Sequence, residues 1–125
     1  MKNRLILSAV LICILTVCIA LVSCSNPAGG GGGTHTVKFE ITGPQTIADI
    51  VVYTNETGNF DQLSNVPIPW EKTITVQGRK GLFCDATIFS AVDSGLTYTA
   101  KIFVDGREIA SSNSSTGSIS VSGST

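Results

Sequence analysis

The sequence predicts an all-β fold, an antiparallel β-sandwich of about seven strands, over residues 34–125. Three observations carry that expectation. Apolar residues recur with period two through nearly the whole segment, the signature of strands with one face buried. No window carries the apolar stripe of period 3.6 that an amphipathic helix requires. Asp105-Gly106 stands between two strand-like runs, and a two-residue type I′ hairpin turn needs positive φ at both of its central residues.

Each element follows from its own pattern. In Thr36–Thr42, Val37, Phe39 and Ile41 share one face, and Lys38 and Glu40 the other. Asp49–Thr54 is apolar on both faces and β-branched, as a central strand should be. Glu71–Gln77 turns Ile74 and Val76 inward and Thr73 and Thr75 outward. Leu82–Ala91 places Leu82, Cys84, Ala86 and Ile88 on one face and Phe83 and Phe89 on the other. Leu96–Val104 alternates through Leu96, Tyr98, Ala100, Ile102 and Val104, and Arg107–Ser111 returns from the hairpin. Thr116–Ser122 offers a last strand through Ile119 and Val121, while Gly58–Pro69 reads as a loop.

The N-terminus gives an address. Lys2 and Arg4 precede an apolar run from Leu5 to Val22, which ends in Leu21-Val22-Ser23-Cys24. A charged start followed by an apolar stretch is a secretory signal. Its end resembles the lipobox of bacterial lipoproteins, in which the cysteine is diacylated and the bond before it is cut. That resemblance makes residues 1–23 a signal peptide and Cys24 the lipid-bearing first residue of the mature chain. The competing reading is a retained transmembrane helix, since eighteen residues, Leu5–Val22, just span a bilayer. The small-residue-Cys junction, Asn26-Pro27 close behind it and the lack of a charged stop after Val22 favour cleavage. Residues 24–33 then form a glycine-rich tether, with a root-mean-square span of about 17 Å for a flexible coil of its length. Two acyl chains anchor stably where one does not. In Gram-negative lipoproteins Asp after the cysteine tends to retain the protein at the inner membrane. Ser25 stands there, so the outer membrane is the destination where the host has one, and the outer face of the cell membrane otherwise.

Cys13 and Cys18 fall in the signal, which leaves Cys84 alone in the mature chain and without a disulfide partner. Beside Phe83 in a strand pattern, it reads as a buried, inert thiol. Removing Lys2 and Arg4 leaves six basic against nine acidic residues, a net charge of −3. No basic stripe exists for nucleic acid or anionic lipid.

Four segments in order suggest a family: Phe39-Glu40-Ile41-Thr42-Gly43, Ala48–Gly58 with its Asp49, Tyr53 and Asn55, Val66-Pro67-Ile68-Pro69-Trp70, and Ile102-Phe103-Val104-Asp105-Gly106. Across most of residues 36–122 the chain resembles the small mycobacterial membrane proteins (MmpS family). The resemblance implies an immunoglobulin-like sandwich outside the membrane that accompanies RND-type lipid or siderophore exporters as an accessory subunit. Two departures stand out. The family keeps a transmembrane helix where this chain has a lipobox. Some members also carry a cysteine pair flanking the Val-Asp-Gly hairpin, and here Ala100 occupies the first of those places.

Chemistry is sparse. His35 is the lone histidine, and a metal site needs convergent ligands. Asp49, Glu56, Asp61, Asp85 and Asp93 are scattered, with no calcium-loop spacing. Gly29–Gly33 lacks the Lys-Ser/Thr of a phosphate loop. Asn55-Glu56-Thr57 and Asn113-Ser114-Ser115 match the glycosylation sequon and are read here as turn and loop chemistry. Trp70, after Pro67-Ile68-Pro69, either plugs the sandwich beneath the Gly58–Pro69 loop or stands out as an interface anchor. The expectation is a non-catalytic protein-interaction module without cofactor, held to the membrane by lipid and working with a membrane transporter or another envelope protein. A binder of small ligands or lipid is the alternative.

Overall fold

The structure is a computed structural model that describes residues 32–92 and 94–125. The signal segment 1–23, Cys24, the tether up to residue 31 and Asp93 lie outside the described residues. Eight strands follow in order: β1 Thr34–Thr42, β2 Ile47–Thr54, β3 Phe60–Pro67, β4 Trp70–Gln77, β5 Gly81–Thr87, β6 Tyr98–Val104, β7 Arg107–Ser114 and β8 Ser118–Ser124. They pair antiparallel into two four-stranded sheets, ordered β4-β1-β6-β7 and β3-β2-β5-β8. The fold is therefore an antiparallel β-sandwich. The pairings of β1 with β4 and of β2 with β5 reproduce the B–E and C–F pairings of immunoglobulin domains. In that frame β8 takes the place of strand G, β3 that of C′, and β6 fills the position beside B that strand A holds elsewhere.

The alternation seen in the sequence becomes the core. Val37, Phe39 and Ile41 of β1, with Ala100 and Ile102 of β6, face Val51 and Tyr53 of β2 and Leu82, Cys84 and Ala86 of β5. The rings of Phe39 and Tyr53 meet across the sheets at 5.9 Å between centroids, tilted by 51°. Such tilted pairs add to what their buried area contributes.

Three expectations need correction. The segment Gly58–Pro69 is mostly strand, because β3 pairs along β2 from Thr54↔Phe60 to Ile47↔Pro67. Seven of its eight residues are exposed. At the rim of a sheet the core demands little alternation, so the period-two signal is missing. The strand predicted over Leu82–Ala91 stops at Thr87, and Phe89–Ala91 forms a 3₁₀ turn. Leu96 precedes β6 and stays exposed, while β7 runs on to Ser114 through a serine-rich stretch paired to β6.

The Asp105-Gly106 hairpin forms as expected, with φ of 51° and 80°. The Asp105 carboxylate accepts a hydrogen bond from the Thr36 amide at 2.9 Å and faces His35 Nδ1 at 2.8 Å. The His35 contact and the Thr36 amide hold its carboxyl below the ordinary carboxylate range. A lowered carboxylate pKa contributes stability above the unfolded value near ~4, lost as pH falls through the folded one.

Gly117 at φ 81° closes the β7–β8 turn, and a Cβ there would lie 2.8 Å from the Ile88 carbonyl oxygen. Backbone strain and overpacking act together at this position. Gly117→Ala is expected to destabilise the domain by about 3 kcal/mol. A urea titration reads the effect as a lowered midpoint at unchanged slope.

Candidate interaction surface

Antiparallel pairing sends the connections to two ends of the sandwich. The chain reaches β1 through Gly32 and Gly33, and the Gly33 carbonyl accepts from the Gly78 amide at 3.0 Å. Asn55–Asn59, Gly78–Lys80 and Asp105-Gly106 share that tether end. The distal end carries Gly43–Thr46, Ile68-Pro69, the connection from Ile88 to Thr97, and Ser115–Gly117.

More than half of the exposed large apolar side chains lie toward one end. Ile47, Phe89, Val92 and Leu96 belong to the distal end, four of the seven exposed large hydrophobics among the described residues. Phe89 has 63 % of its surface exposed; Phe60, which opens β3 at the tether end, is as exposed at 64 %. Pro67, Pro69 and Trp70 join them there. None of the six basic residues of the described segment falls in a distal loop, whereas Arg79, Lys80 and Arg107 stand at the tether end. An apolar rim without cations is the composition of an interface core.

That rim is held in place. The Phe89 amide donates to Asp49 Oδ2 at 2.7 Å, and the Ile88 amide donates to the Gly117 carbonyl at 2.7 Å. Ser94 Oγ donates to the Ala91 carbonyl at 2.7 Å and accepts from the Leu96 amide at 3.3 Å. Asp49, one of the scattered carboxylates, thus serves to pin the turn that displays Phe89. A surface fixed before binding loses less entropy on association.

Trp70 lies between core and surface. Its indole lies 5.5 Å from the Tyr53 ring and packs against the core, yet it is half-buried and lines a surface concavity of about 370 Å³ with Glu40, Thr42, Pro69 and Glu71. A second concavity of about 240 Å³ opens between β3 and β4, lined by Tyr53, Asn55, Glu56, Thr57, Asp61, Lys72 and Ile74. Asp61 accepts from Asn55 Nδ2 at 2.9 Å and from the Tyr53 hydroxyl at 3.4 Å. Burial, and after it the charge of Asp61, pushes the Tyr53 phenol above its ordinary range, so it remains a proton donor. Glu56 and Asp61 meet here, while Asp85 lies apart on β5 with its carboxyl raised by burial. Among the described residues no three His, Cys, Asp or Glu side chains gather as metal ligands.

Cys84 is fully buried in β5, and burial pushes its thiol up to about 12. Only the thiolate is nucleophilic. The native domain is therefore expected to leave Cys84 unmodified by iodoacetamide at mildly alkaline pH, and to react once unfolded in guanidinium. Rapid native labelling, read by mass, would contradict this placement.

The distal rim is the feature that sequence reasoning missed, because it placed Phe89 and Leu96 in strands. Gly95, just before Leu96, was the available signal against a continuous strand there. No family model matches the chain, and no curated protein does.

Proposed function

We propose that this chain is a lipid-anchored β-sandwich of the bacterial cell envelope that acts without catalysis as a protein-interaction module. It is anchored through Cys24 and the tether at one end and presents the rim of Ile47, Phe89, Val92 and Leu96 at the other. The supporting observation is that four of the seven exposed large apolar side chains among the described residues lie at the end opposite the one by which the chain enters, three of them in one connection, with Phe60 the main exception at the tether end. Contiguous exposed apolar surface marks interaction sites in soluble domains. The partner that the family resemblance implies is an RND-type exporter, with this chain as accessory subunit. A small-ligand role is the second reading, favoured by the concavity beside Trp70, whose volume of about 370 Å³ falls within the range of ligand sites.

The test has two parts. The mass of the mature N-terminus should report a diacylglyceryl group on Cys24. Crosslinking in native membranes, followed by purification on a C-terminal tag, should recover a large polytopic transporter in excess over unrelated lipoproteins. Recovery of abundant envelope proteins alone would remove the transporter role.

A further inference from the structure

A sandwich of two open sheets has four edge strands, here β3, β4, β7 and β8. Each edge leaves alternate backbone N–H and C=O groups unpaired and invites another strand unless it is guarded. Three of the four carry guards. β3 ends in Pro67, holds Asn65 at φ 54° and carries Asp61 opposite the inward-facing Tyr53. β4 carries Lys72 on the same face as Ile74. β7 opens on Arg107 and Glu108, and its register with β6 shifts between Ile102 and Phe103.

β8 has none of these devices. Its seven residues Ser-Ile-Ser-Val-Ser-Gly-Ser contain no charge and no proline, and they pair without a break to β5 from Thr87↔Ser118 to Gly81↔Ser124. A second observation lies on the same flank. Ile109 of β7 is exposed over 39 % of its surface, and its Cδ1 sits 2.8 Å from where a Cβ on Gly123 would be. The missing side chain at Gly123 seats an isoleucine that the domain covers only in part.

We propose that β8 is a docking edge for an extended segment of a protein partner, which adds a fifth strand to the β3-β2-β5-β8 sheet. This rests on the interaction-module reading and specifies its partner. The ladder accepts only backbone in strand conformation, and the pattern of β8 sets the partner's side chains. Positions on the face of Ile119, Val121 and Gly123 take apolar residues, which would cover Ile109. Positions beside Ser118, Ser120, Ser122 and Ser124 take small uncharged or hydroxyl side chains. A second copy of the chain fits poorly: antiparallel β8–β8 pairing would point the two tether ends in opposite directions, although both chains are anchored.

Hydrogen exchange of the full chain, in native membranes and after purification in detergent, tests this directly. Amides of residues 118–124 should exchange at least tenfold more slowly in the membranes, and Ser120→Lys/Ser122→Lys should abolish the difference at unchanged thermal stability. Equal exchange in both settings would overturn the docking edge. Protection that persists in detergent and rises with concentration would also overturn it, since the added strand would then be a second copy's. If the double variant fails to fold, the comparison on the unaltered chain decides. Should crosslinking recover a partner while β8 shows no added protection, the edge falls and the interaction module stands. Should both fail, both readings fall.

Discussion

Phe39→Ala is expected to cost the domain about 4 kcal/mol, the loss typical of a large aromatic truncated in a close-packed core. Phe39 is fully buried near the middle of β1, which is hydrogen-bonded on both sides, to β4 and to β6. Its ring is the partner of Tyr53 across the sheets, and Tyr53 in turn packs on Trp70. Truncation therefore opens a void at the joint between the sheets, where regular strands on both sides limit collapse. Domains of this size have total stabilities of about 5–15 kcal/mol, so a large part of the margin would vanish. The melting temperature should fall by roughly 20 °C, at 4–8 °C per kcal/mol. A loss below about 1 kcal/mol would mean that the core is not packed around this ring.

The second large effect concerns binding and leaves the fold intact. Phe89→Ser/Val92→Ser/Leu96→Ser removes the apolar surface of the distal connection. All three side chains are exposed, so folding stability should change by less than about 1 kcal/mol. Recovery of the partner after crosslinking should drop by a factor of roughly thirty, as expected when about 2 kcal/mol of hot-spot contact is lost. Arg79→Gln/Arg107→Gln, at the tether end, should leave recovery unchanged. A distal variant that melts normally and still captures its partner would place the interface elsewhere.

What the sequence made legible follows from which residues feel the core. β1, β4, β5 and β6 carry buried residues at alternate positions, and their positions were read nearly correctly. Asp105-Gly106 was legible because positive φ at two successive positions selects few dipeptides. β3 was invisible, since an edge strand with one buried residue has no face to betray it. Phe89 and Leu96 misled for the opposite reason: they continue an apolar alternation past the points where pairing ends, at Thr87 and before Tyr98. The placement of Phe89 depends on the turn fixed by Asp49, forty residues away in the chain. Trp70 was recognised as notable, yet its contact with Tyr53 across the sheets is long-range and left no local trace. The unguarded edge of β8 required the strand order, which no local pattern contains.

The proposed function requires polarity, a domain anchored at one end and recognised at the other. Photocrosslinking amino acids placed singly at Phe89 and Leu96, and at Thr57 and Asn59 of the opposite end, probe this in native membranes. Discrete protein adducts are expected from Phe89 and Leu96, and none of comparable yield from Thr57 or Asn59. Equal adducts from both ends, or adducts from the tether end alone, would contradict it.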